Sequence, residues 1–320
     1  MNIDCLAEIC YKPLGDEKGE DAYAYNIARD DLHTIAVFDG CGGSGAWKYP
    51  EFHHASGAFV AAQSMAKGYL GWFDSVSAED LHDPDTLSQS FLDYSRDILT
   101  QLKQSCAPMG VSGSLVKSFP CTASAAVISQ EQKDSIGITA LNTGDSRVYC
   151  LVPGNGLIQL TKDDSRGNPD PLDSLRDNPP LSNMMNADKP YRVSVRQVVL
   201  PAPCAVICAT DGVFGFVRSP MDFEYLLLKC ILFSESAADF ERQLQDEVVK
   251  ITGDDSTCVA AFYGWGSYPE IKRSLEPRFR QVQGIINSID KARTAEERES
   301  VIRAEWETYR KSTVYDEMQG

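Results

Sequence analysis

The chain has 320 residues, 43% hydrophobic and 24% charged, a balance that excludes a disordered chain and leaves length for a sizeable core. Its formal net charge of -16 argues against nucleic-acid binding, which needs clustered Lys and Arg, and against anionic lipid surfaces. The opening residues MNIDCLAEICYKPLG carry no basic stretch followed by a long apolar run, and no segment approaches a membrane span, so a cytoplasmic protein is expected.

Thr34–Phe38 is the first apolar run of strand length. Two helices follow. One is Ala-rich and covers roughly Ala55–Tyr69. The other opens near Asp83–Asp85 and carries Leu87, Phe91, Tyr94, Ile98 and Leu102 at helical spacing. Three further strands are read over Ser124–Ser129, Ile136–Leu141 and Val148–Val152. From Asp163 to Pro190 the pattern fails, and Pro, Asp and Asn dominate. Such a stretch is a flap or binding loop, or equally a poorly ordered surface loop. Then come a strand over Ala205–Ala209, helices around Ser219–Phe233 and Ala237–Ile251, and a strand over Cys258–Tyr263. Strands in runs with helices between them predict a layered α+β domain.

After Trp265 the composition turns charged and helical. Val282, Ile285, Ile286 and Ile289 form a stripe at helical spacing. Thr294 and Glu297 have the spacing of a capping box that opens a last helix with Ile302, Trp306 and Tyr309. The expected division is a main domain over 1–264 and a helical extension over 265–320 packed on it; a partner-binding module is the alternative. The ten cysteines make no zinc-ligand pairs and sit mostly in apolar segments, which predicts buried reduced thiols.

Four Asp-containing motifs stand at strand ends: Glu20-Asp21 before an apolar run, Asp39-Gly40-Cys41-Gly42-Gly43, Thr210-Asp211-Gly212, and Asp254-Asp255-Ser256-Thr257. An Asp there projects from the sheet edge. Converging carboxylates repel one another unless a cation sits between them, and hard divalent cations favour such oxygen donors. Two ions about 3.5–4 Å apart activate a water and clamp a phosphoryl group. Taken singly, each Asp-Gly pair is an ordinary turn, with Gly supplying positive φ.

In their order these motifs resemble the type 2C (metal-dependent) serine/threonine protein phosphatases. Further matches are Cys121-Thr122-Ala123, the hexapeptide Asn142-Thr143-Gly144-Asp145-Ser146-Arg147, and Leu160-Thr161-Lys162-Asp163-Asp164-Ser165. The matches span roughly residues 2–264, and the link into Thr210-Asp211-Gly212 is closer to bacterial members. The resemblance implies a β-sandwich of two antiparallel sheets flanked by helices, with a metal cleft at one end. It implies that Asp39 bridges two Mn²⁺ or Mg²⁺ ions, that the Gly40 carbonyl is a ligand, and that Asp211 and Asp254 hold the second ion. Glu20 and Asp21 would act directly or through water, and Asp145 would match the support of a third, weaker ion. The implied reaction is direct attack of a metal-activated water on a phosphoserine or phosphothreonine ester, with Asp39, Glu20 and Asp21 as the catalytic core.

Three positions depart from the family pattern. Cys41 stands where many members have a His, and a thiol is the poorer acid near neutrality. Asp16 stands where many have a phosphate-gripping Arg, which leaves Lys18, Arg166 and Arg176 as substitutes, though Lys lacks the guanidinium fork. Asp255 replaces an Asn and could join the metal site or face solvent. The histidines His33, His53, His54 and His82 have no companion ligands at fixed spacing and read as surface or packing residues. The Gly-rich run after Asp39 lacks the Lys-Ser/Thr of a nucleotide loop, and Cys41 lacks the context of thiol phosphatases.

The leading expectation is therefore a monomeric metal-dependent hydrolase acting on phosphorylated proteins. A catalytically inactive relative that binds phosphoproteins through the same cleft is the alternative, suggested by Asp16 and Cys41. Hydrolysis of another, smaller phosphoester is a third.

Overall fold

Two five-stranded antiparallel sheets pack face to face in the computed structural model of the chain, which describes residues 2–13, 19–107, 116–167 and 169–318. Their strands are β1 (Ile3–Tyr11), β2 (Ala22–Asn26), β3 (Leu32–Phe38), β4 (Ala123–Gln132), β5 (Ser135–Thr143), β6 (Arg147–Val152), β7 (Gly156–Gln159), β8 (Ser194–Pro201), β9 (Cys204–Ala209) and β10 (Ser256–Tyr263). The first sheet has the order β1-β10-β9-β6-β7 and the second β8-β5-β4-β3-β2. This is the expected sandwich.

Side-chain alternation explains the layers. In β3, Ile35 and Val37 enter the space between the sheets, while Leu32, Ala36 and Phe38 face the helices outside the second sheet. In β9, Cys204, Val206 and Cys208 point between the sheets, and Ala205, Ile207 and Ala209 point to the opposite helical layer. Strands buried on both faces read as unbroken apolar runs, and a period of two assigns each residue to its layer.

Helices α1 (Gly57–Phe73) and α2 (Pro84–Gln104) cover the second sheet. A short α3 (Pro171–Asp177) follows. Helices α4 (Pro220–Phe233), α5 (Ala237–Val249), α6 (Tyr268–Asp290) and α7 (Ala295–Thr313) cover the first sheet. Ser56, Asp83, Ser219 and Thr294 each accept a backbone N–H at a helix start. At α7 Thr294 accepts the Glu297 N–H at 3.0 Å as a capping box requires, while the Glu297 carboxylate reaches the Arg293 N–H at 2.7 Å, one residue before the expected partner. No helix among the described residues is long and apolar enough to cross a membrane.

The differences from expectation are local. Helix α1 starts at Gly57 because Ala55–Ser56 pairs as a short strand with Lys48–Tyr49. Strands β1, β7 and β8 were not legible: Asp4 and Glu8 break the apolar run of β1, β7 has four residues, and β8 leaves Val199 exposed. The irregular segment is pinned rather than loose. It contains α3, a bridge between Ser165 and Leu181, and a bond from the Ser182 N–H to the Asp164 carbonyl at 2.7 Å. Helices α6 and α7 bury Ile271, Leu275, Val282, Ile302 and Trp306 in the same apolar cluster as β9 and β10. All ten cysteines are free, as expected, and six are buried.

Candidate active site

Strand pairing gathers the acidic motifs at one end of the sandwich. The pairing of Ala22 with Phe38 sets Asp21, just before β2, beside Asp39, just after β3. Within the first sheet, the pairing of Ala209 with Cys258 sets Asp211, just after β9, near Asp254, just before β10. Asp145 sits in the tight connection between β5 and β6. Gly144 turns that connection with φ +101°, and a Cβ there would lie 2.5 Å from Thr122. The Thr122 N–H in turn donates to the Asp39 carbonyl at 2.7 Å, and its hydroxyl meets the Ser146 hydroxyl at 2.7 Å. The loops that carry Asp39 and Asp145 are thus tied together.

The carboxylates share one electrostatic field. Burial, and then repulsion by Asp21, Asp211, Asp145 and Asp254, push Asp39 well above the usual carboxylate range. Burial lifts Asp21 to about 8, against the hydrogen bond it accepts from the Thr210 hydroxyl at 2.8 Å. Asp211 rises to about 6, through burial and then the charge of Asp254. Asp145 is raised by burial and then by Asp211 and Asp163. Glu20 is raised by burial, while its carboxylate accepts the Ser56 hydroxyl. The charges that push hardest on Asp39 are all negative.

Such a set suits a hard divalent cation, which would remove the mutual repulsion and is bound through oxygen alone. Among the described residues no three His, Cys, Asp or Glu side chains form a ready-made shell around one point. Mg²⁺-like ions keep several waters and use one or two carboxylates each, so a complete protein cage is not needed. The Gly40 carbonyl accepts the Gly42 N–H at 2.7 Å and keeps a second lone pair. Gly42 itself leaves space for Glu20, because a Cβ there would fall 2.1 Å from the Glu20 carboxylate.

Asp255 is half-buried beside Glu20 and Asp21, where its charge adds to the burial that raises both. It accepts the backbone N–H of Glu20 and so staples the start of β2 to the start of β10. Other predicted positions separate from this cluster. Arg176, on α3, is ion-paired with Glu299 of α7. Arg166 is exposed in the irregular segment, its backbone bound to the Pro180 carbonyl at 3.0 Å. Lys18 and Asp16 lie outside the described residues. The Cys41 thiol is pushed well up, first by burial and then by Asp39, which disfavours a thiolate.

Several supporting residues were not anticipated. Thr210 donates to Asp21 and accepts the Thr257 N–H at 2.9 Å, which locks β2 to β10 behind the cluster. The hexapeptide's Arg147 grips Asp163. Asp164 accepts from the Gly144 N–H at 3.1 Å, from the Asn183 amide at 2.6 Å and from Arg192. Thr210, Arg147 and Asp164 all lie inside the motifs quoted above, but their partners are distant in sequence.

Solved structures share this fold. Stp1, a serine/threonine phosphatase from Staphylococcus aureus, superposes with a TM-score of 0.60 at 18% identity, over 82% of this chain and 96% of that one. The serine/threonine phosphatase PstP/Ppp from Mycobacterium tuberculosis does so with a TM-score of 0.54 at 17% identity, over 81% and 97%. A catalytic domain of PstP in complex with 2 manganese ions matches with a TM-score of 0.52 at 18% identity, over 80% and 96%. Identities this low speak for the fold alone. No protein of curated function matches the sequence. The sequence profile of protein phosphatase 2C matches residues 15–249. That match covers most of the chain, and the chain belongs to the protein phosphatase 2C family.

Proposed function

We propose that the protein hydrolyses phosphoserine and phosphothreonine esters in proteins, using Mn²⁺ or Mg²⁺. The observation that carries this reading is the convergence of Asp21, Asp39, Asp145, Asp211 and Asp254, with no positive charge among the strongest influences on Asp39. In this reading Asp39, the Gly40 carbonyl, Asp211 and Asp254 would hold the ions, with water supplying the remaining ligands. Glu20 and Asp21 would act directly or through water, and Asp145 would support a third, weaker site. Bound ions would supply an activated water and neutralise the phosphoryl oxygens. The chain's own part is to hold the carboxylates rigid and close together, through Thr210, Thr122 and Asp255. Cys41, half-buried and held neutral beside Asp39, contributes no thiolate nucleophile.

A phosphothreonine peptide incubated with Mn²⁺, with EDTA and with the Asp39→Ala variant tests the proposal. Metal-dependent turnover lost in both controls supports it. Absence of turnover across several phosphopeptides and small phosphoesters, from folded metal-loaded protein, would sink it.

A further inference from the structure

Asp145 rides on a turn that is held from two sides. On one side is Thr122, packed against Gly144 and bonded to the Asp39 carbonyl. On the other is Asp164, only 5% exposed. Its carboxylate accepts the Gly144 N–H at 3.1 Å, and its own N–H donates to the Gly144 carbonyl at 2.8 Å. One residue thus engages both polar groups of the glycine that precedes Asp145. The Asn142 amide adds a further bond to the same carbonyl at 3.2 Å.

Asp164 is in turn gripped by the end of the irregular segment. The Asn183 amide donates to the same carboxylate oxygen as Gly144, at 2.6 Å, and Arg192 binds the other oxygen. The Ser182 N–H and hydroxyl both reach the Asp164 carbonyl, at 2.7 and 2.9 Å. Asn183 is buried and exchanges two bonds with the backbone of Arg192, at 3.0 and 3.1 Å. A buried carboxylate is costly once its donors leave. Withdrawal of residues 182–192 would therefore disturb the bonds that Asp164 makes to Gly144.

We propose that Asp164 and Asn183 are positioning residues for the phosphatase reaction. Acting through Gly144, they hold Asp145 in line with the other carboxylates, so that the place of Asp145 depends on the fold of residues 182–192. The inference rests on the phosphatase reading and extends it to residues that act through another. Removing a supporting hydrogen-bond partner of this kind costs about 10–100-fold in metal affinity or activity.

The test is Asn183→Ala, which takes one donor from Asp164 and leaves every acidic residue in place. Arg176→Gln is the comparison, because it frees the irregular segment from Glu299 of α7 without touching Asp164. Three quantities are read on the full chain. They are hydrogen exchange by mass spectrometry in EDTA, the Mn²⁺ concentration that half-stabilises the fold in melting curves, and kcat and KM for a phosphothreonine peptide with Mn²⁺. Asn183→Ala is expected to exchange faster over residues 142–147 but not over 205–209. It should need more Mn²⁺ and lose about 10–100-fold in kcat, with KM little changed. Arg176→Gln should match wild type in all three. A folded Asn183→Ala with wild-type kcat, or with unchanged exchange over 142–147, overturns the proposal. An equal loss in Arg176→Gln also overturns it, because the effect would then not run through Asp164. Should Asn183→Ala fail to fold, Arg192→Gln takes its place, since that side chain is 65% exposed. Should wild type show no turnover, the phosphatase reading fails, and exchange and Mn²⁺ stabilisation decide the positioning role. Faster exchange over 142–147 with weaker Mn²⁺ stabilisation supports it, and wild-type values for either overturn it.

Discussion

Arg147 holds Asp163 with both arms of its guanidinium, Nε to Oδ1 at 2.8 Å and Nη2 to Oδ2 at 2.7 Å, with side-chain exposures of only 2% and 9%. The same guanidinium donates to the Tyr149 hydroxyl at 3.2 Å and lies 4.4 Å from the centre of the Phe214 ring. The pair sits behind Asp145 and Asp211. Arg147 favours their charged forms, and Asp163 opposes them. Arg147→Ala would leave a buried carboxylate without its cation and is expected to cost about 3–5 kcal/mol. Arg147→Lys is not conservative, because the fork and the ring stacking are both lost. The double variant Arg147→Met with Asp163→Leu should recover much of the stability. Urea denaturation of the three variants checks this, and a double variant as unstable as Arg147→Ala would refute the account.

The acidic cluster predicts how pH acts on metal-free protein. Asp211 and Asp21 titrate in the folded state at about 6 and about 8, above the usual value of about 3.9 for an unfolded Asp. A group with a raised folded pKa contributes stability below its unfolded pKa, and that contribution is lost as pH rises through the folded pKa. Protein in EDTA should therefore lose thermal stability between about pH 4 and pH 8. Mn²⁺ should restore more at pH 8 than at pH 5, with about 2.7 kcal/mol gained at a hundredfold excess over Kd. Melting curves with and without Mn²⁺ measure both. A metal-free Tm that does not move over this range would contradict the repulsive cluster.

Gly212 follows Asp211, a proposed metal ligand, under a tight steric limit. A Cβ there would stand 1.7 Å from the Asp255 carbonyl oxygen, and backbone cannot yield as a flexible side chain can. Gly212→Ala should push the Asp211 loop away from β10 and abolish both turnover and Mn²⁺ stabilisation. Gly43→Ala is the control, since its Cβ would meet nothing within 4 Å. Calorimetric Mn²⁺ titration of both proteins separates the two effects.

The C-terminal helices are wired into the main domain. The buried carboxylate of Glu224 on α4 receives two bonds from Arg278 of α6, at 2.7 and 2.8 Å, and one from the Tyr309 hydroxyl of α7. Tyr309→Phe should cost about 1–3 kcal/mol, and Arg278→Ala about 3–5 kcal/mol. Helix α7 also reaches the irregular segment, through Trp306 and Arg310 to Asp170 and through Glu299 to Arg176. Trp306→Ala should therefore hasten proteolysis between residues 163 and 190. Limited proteolysis read by mass spectrometry tests this. Unchanged cleavage there would show that α7 does not brace the segment.

Much of the fold and the site could be read from the chain itself. Unbroken apolar runs of strand length mark β3, β4, β5, β6, β9 and β10, because strands buried on both faces tolerate few polar residues. The acidic motifs that end or precede them mark the candidate carboxylates through their order along the chain, since a single Asp-Gly pair is an ordinary turn. Both signals are read along the chain. What only the tertiary structure decided is partnership. Arg176 pairs with Glu299, 123 residues away in sequence, rather than joining the carboxylate cluster. Asp255 binds the backbone of Glu20 across 235 residues while its charge stays within reach of Glu20 and Asp21. The segment after Asp163 is braced by α3, Asp164 and the last helix. A side chain's charge is fixed by its own identity, but the cation or N–H that meets it depends on how distant strands and helices pack.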